Sequence, residues 1–150
     1  MVMNPTYLKQ KNPHPRDKRI KFYEGPHLYT VDGVGGYTSV TSWNHSHFAE
    51  FNADKIIDKM MNSKNWNNNK YYGMTALEIK EKWDKNGTEA SAAGTKMHFD
   101  IECFYNKLDV KNDSIEFTYF KQFHKDYSHL VPYRTEWEIF HEELLFSGSI

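Results

Sequence analysis

Between Thr88 and Asn106 the chain spaces its side chains as an α-helix covered on two sides would. Set at about 100° per residue, Ala90, Ala93, Gly94, Met97, Ile101, Phe104 and Tyr105 share one face. A polar stripe of Ser91, Thr95, His98, Glu102 and Asn106 runs beside it, and Phe99 and Cys103 lie beyond the stripe. A plain surface helix has one apolar face, so a narrow polar strip flanked on both sides points to a strip that faces something. Within it His98 and Glu102 stand at i and i+4, close enough for both to reach one ion. Imidazole with carboxylate suits Mn²⁺, and Mg²⁺ is compatible where carboxylates supply most of the ligands. The pattern H-x-x-x-E is weak alone: the chain has eight histidines, and a surface His–Glu pair explains it as well. A zinc-protease site is excluded by the absence of H-E-x-x-H.

The flanking sequence punctuates clearly. Residues 1–19, with Pro5, Pro13 and Pro15 among Lys9, Lys11, Arg16, Lys18 and Arg19, read as a basic extended arm. Ile20 to Val31 reads as a β-hairpin around Gly25-Pro26. Ser39 is placed to cap a short helix towards His47, and Asn52 to cap a second over Ala53–Met61. Thr75 and Glu78 form a capping box whose helix is expected to stop at Asn86-Gly87. Ser114 to about His129 reads as a further helix, with Phe117, Phe120 and Phe123 or His124 inward. Pro132 to Phe140 alternates like a strand, with Arg134, Glu136 and Glu138 on one side, and Leu144–Ile150 reads as its hairpin partner.

Composition bounds the function. A length of 150 residues suits one domain with a real core, and an aromatic content of 16% argues for a folded chain. A net charge of −1 excludes binding of nucleic acid by bulk charge alone, although a basic arm beside an acidic site suits phosphodiester chemistry. One cysteine, Cys103, rules out an intramolecular disulfide and fits a reducing compartment. No apolar run approaches signal-peptide or membrane-span length, so the expected location is intracellular. Twelve asparagines with abundant lysine hint at an A·T-rich, viral or parasite coding sequence.

Ala93-Gly94-Thr95-Lys96-Met97-His98, followed by Arg134-Thr-Glu-Trp-Glu and by Gly148-Ser149-Ile150, resembles the front half of PD-(D/E)XK nucleases of the RecB-like and lambda-exonuclease-like branch. The resemblance implies a restriction-endonuclease-like α/β/α core, incomplete here, over residues 20–150, with an N-terminal β-hairpin and helical cover. It implies metal-dependent cleavage of DNA, chiefly exonucleolytic, in replication, repair or recombination, with Mg²⁺ or Mn²⁺. By the same resemblance His98 ligates the metal, Glu102 is a second ligand and catalytic carboxylate, and Glu136 is the acidic residue of the strand. Gly94 would be the small residue where the helix meets its neighbours, and Ser39, Thr41 and Lys96 would lie on the DNA path. A helix cap alone also explains Ser39 fully. The family's next aspartate and its D/E-x-K motif would follow Ile150, so the expectation is a site completed by a downstream segment or a second chain, inactive in this chain alone and prone to self-association through Leu144-Leu145-Phe146. The alternatives are a non-catalytic nucleic-acid-binding module and a protein-interaction module.

Overall fold

The computed structural model describes residues 4–150. Its topology is mixed α/β: an N-terminal β-hairpin, then helices, then a second hairpin. The chain divides into two compact units, one made of residues up to Phe48 together with Met97–Ile150, the other of Ala49–Lys96.

In the first unit, strands β1 (Ile20–Tyr23) and β2 (Leu28–Val31) pair antiparallel, with Ile20 opposite Val31 and Tyr23 opposite Leu28. β4 (Glu138–His141) and β5 (Phe146–Ser149) form the second hairpin, and the two-residue β3 (Thr38–Ser39) joins β5 in parallel, giving the order β3-β5-β4. Ile20, Tyr29, Val31 and Phe140 close a small core between the hairpins. Phe117 and Phe120 of α5 (Ile115–Asp126) are buried, and Phe104 meets the Phe120 ring edge-on at 5.2 Å. His124, not Phe123, turns inward: Phe123 is exposed.

The expected extended arm is not what residues 4–19 form; residues 1–3 of it lie outside the described residues. Tyr7–Lys11 is a helical turn, α1, and Pro15–Lys18 a 3-10 turn capped by His14 and Asp17. Long-range bonds hold the segment down. The Leu8 N–H donates to Asn106 Oδ1 at 2.9 Å, and Asn12 Nδ2 donates to the Tyr133 carbonyl at 2.7 Å. Arg16 Nη1 donates to the Phe140 carbonyl, Arg19 pairs with Asp32 and Glu142, and both guanidiniums lie over the Phe140 ring. Two of the segment's five lysines and arginines, Arg16 and Arg19, are therefore structural.

The strand expected from Pro132 shortens to β4. Over residues 132–136 the chain is irregular, because Arg134 and Trp137 both turn to Asp17 and Glu136 takes φ +44. Arg134 Nη1 reaches Asp17 Oδ2 at 2.9 Å, its side chain being 5% exposed, and its Nε is buried with no hydrogen-bond partner among the described residues.

The caps are where the sequence puts them. Ser39 Oγ accepts from Ser42 N at the start of α2 (Val40–His45), Asn52 Oδ1 from Lys55 N at the start of α3 (Ala53–Met61), and Ser114 Oγ from Phe117 N. The expected break at Asn86-Gly87 is absent: α4 runs unbroken from Ala76 to Tyr105. An interior glycine costs a helix only about 1 kcal/mol against alanine, less than the capping box and the alanine-rich run beyond it return. In the second unit Ile57, Tyr71 and Ile79 are buried together, with Met60, Met61, Trp66, Met74 and Trp83 around them. Gly94 does not mark a close contact, since a Cβ there would meet nothing within 4 Å. Among the described residues no helix is long and apolar enough to cross a membrane.

Candidate functional site

The last turns of α4, the α5 end and the segment before β4 enclose a cleft of about 410 Å³ in the first unit. Ile101, Tyr105, Phe123, Tyr127, Leu130 and Val131 make its apolar wall; His98, Glu102, Arg134, Thr135 and Glu136 make its polar side. A second hollow of about 300 Å³ shares Glu102, Arg134, Thr135 and Glu136 and adds Lys9 and Phe99. Helical spacing puts His98 and Glu102 together on this wall, whereas Ser91 and Thr95 of the same stripe are exposed and line neither hollow. Asn106, at the end of the stripe, is spent on structure: Nδ2 donates to Thr135 Oγ1 at 2.9 Å while Oδ1 accepts from Leu8 N.

Glu136 reaches the cleft by an unusual backbone. Its φ of +44 lies in the left-handed region, which costs a non-glycine residue on the order of 1 kcal/mol and collects at functional positions. Its Oε2 accepts from Ser149 Oγ at 3.1 Å, tying the carboxylate to β5. Burial, and after it the charge of Glu136, pushes the Glu102 carboxyl above the ordinary range. Two carboxylates that sense each other in one cleft favour a bound cation or a shared proton, and either member can act as a general base on water once charged. Arg134 adds little positive potential, its charge being matched by Asp17.

Imidazole and carboxylate are suitable donors for Mn²⁺ or Mg²⁺. Among the described residues, however, no group of three or more His, Cys, Asp or Glu side chains is arranged to hold a metal ion. His98, Glu102 and Glu136 line the same cleft.

The other expected site residues fall elsewhere. Ser39 is buried and occupied as the α2 cap, also donating to Ser42 Oγ at 2.8 Å. Thr41 is exposed on α2 and does not line the cleft. Lys96 is exposed on α4 and belongs to the other unit. Lys9, Thr135 and Tyr127 line the hollows without being site candidates in the sequence; Lys9 belongs to the segment expected to be extended, and nothing local marks the other two. Cys103 is fully buried, with its thiol pushed up by burial and then by Glu102 and Asp100, so it is a core residue. No family model matches this chain, and neither a curated protein nor a solved structure shows significant similarity to it.

Proposed function

We propose that this chain belongs to a metal-dependent DNA nuclease of the PD-(D/E)XK type, an intracellular exonuclease of replication, repair or recombination with a restriction-endonuclease-like core. The observation that supports it is the meeting of Glu102 and Glu136 in one cleft, one helical turn from His98. In this reading His98 and Glu102 are the first donors to Mg²⁺ or Mn²⁺, and Glu136, in the irregular segment before β4, is the second carboxylate of the site. Two side-chain donors leave most of the coordination shell to water and to the substrate phosphate. The cleft is acidic, so a phosphodiester enters it only with its cation.

Mn²⁺ titration followed by NMR line broadening tests this. Resonances of His98, Glu102 and Glu136 are expected to broaden first, and Glu102→Gln to abolish the preference. Broadening spread evenly over surface carboxylates would remove the metal-site reading and, with it, the nuclease.

A further inference from the structure

Within Ala49–Lys96, two lysines distant in sequence converge on one tyrosine. Lys70 holds its Nζ 4.8 Å from the Tyr71 ring centroid, and Lys82, on α4, holds its Nζ 5.9 Å from the same ring. Tyr71 is a rigid anchor: it is 7% exposed, packs with Ile57 and Ile79, and its hydroxyl accepts from Trp83 Nε1 at 2.8 Å. The hydroxyl registers the charge, its pKa being drawn below the usual value by hydrogen bonding with Lys70 first and Trp83 second.

Neither ammonium makes an ion pair among the described residues, and the nearby carboxylates show why. Asp54 is taken by Lys80 at 2.8 Å. Glu78, one turn before Lys82 where an i,i+4 partner belongs, is drawn back to Thr75, accepting from its N at 2.7 Å and its Oγ1 at 2.8 Å. Tyr72 follows Tyr71 directly in the same turn, is 58% exposed and is braced edge-on by Trp66 at 6.0 Å between ring centroids. The exposed amides of Asn67 and Asn68 precede it.

Two cations without counter-ions beside a braced, open ring supply both parts of a strand-binding surface. Ammonium groups hold phosphates, and an aromatic face takes a base. A duplex hides its base faces in the stack, whereas an acidic peptide would use the lysines and gain nothing from Tyr72. We infer that this surface binds single-stranded nucleic acid, with Lys70 and Lys82 on phosphates and Tyr72 stacked on a base. It uses no metal and no residue of the cleft, so it stands independently of the nuclease reading.

Fluorescence anisotropy of a labelled oligothymidylate in EDTA tests it, with Tyr72 and both lysines exposed enough that their replacement leaves the core intact. Neutralising two phosphate contacts in K70Q/K82Q is expected to flatten the slope of log K against log salt by about 1.4, at ~0.7 per phosphate. Y72A is expected to weaken binding about tenfold at unchanged slope. Wild-type slope in K70Q/K82Q, or full affinity in Y72A, overturns the inference, as does heparin binding equal to the oligonucleotide's.

Discussion

Replacing Asp17 by alanine should cost far more than an acidic residue in a basic segment suggests. Its carboxylate accepts from Arg134 Nη1 at 2.9 Å, Arg134 Nη2 at 3.2 Å, Trp137 Nε1 at 3.1 Å and the His14 N–H at 3.1 Å. The two side chains are 13% and 5% exposed, so Asp17→Ala leaves a guanidinium buried without its counter-charge. Removing one partner of such a pair costs about 3–5 kcal/mol, a large share of the 5–15 kcal/mol typical of a folded domain. Urea unfolding followed by circular dichroism measures it. The pH dependence has a definite sign. Burial opposes the Asp17 charge, but the bonds from Arg134, His14 and Trp137 outweigh it and hold the carboxyl below its ordinary value. The stabilisation is therefore complete above the unfolded value of about 3.9 and is lost as the pH falls through the folded one. The double variant D17L/R134M, which removes both charges, should be less destabilised than D17A. A D17A loss below about 1 kcal/mol, the range of an exposed pair, would refute the argument.

Gly87→Ala should stabilise α4 by about 0.5–1 kcal/mol, because a Cβ there meets nothing within 4 Å and the helix passes through unbroken; a loss of stability would mean that the helix is bent or broken at that point. Glu136→Gln should lower the Glu102 carboxyl pKa in an NMR titration by removing the second of its two causes, and no movement would separate the two carboxylates. Because Glu102 is raised, the folded state holds its proton more tightly. Stability should fall as the pH climbs from the unfolded value of about 4.3 to the folded one, and Glu102→Gln should remove that fall.

What was legible in the sequence was what neighbours decide. Ser39, Asn52, Thr75 with Glu78, and Ser114 each satisfy a helix N-terminus within three residues of themselves, and each caps where expected. The His98–Glu102 face followed from helical spacing, and its arrival at a cleft with Glu136 was an expectation of resemblance rather than of pattern. Gly87 misled because a penalty of about 1 kcal/mol is not a stop when the turns on both sides favour helix. The irregular stretch 132–136 misled because its alternation is real, while Asp17, 117 residues away, takes Arg134 out of the ladder. Two-residue β3 carries no period at all, so its pairing with β5 had no signature.

That pairing bears on how the protein is made. Ala49–Lys96 finds its buried partners Ile57, Tyr71 and Ile79 within itself, so it can assemble while still emerging from the ribosome. The other unit is sewn from both ends of the sequence: Asn12 waits 121 residues for the Tyr133 carbonyl, and Thr38 waits for Phe146. Until β4 brings Phe140 to Ile20, Tyr29 and Val31, β1 and β2 lack their main core partner, and a lone two-stranded hairpin is marginal in water. The inner unit then shortens the loop that must be closed, and the slow step of folding becomes the late meeting of the two outer segments around a helix already formed.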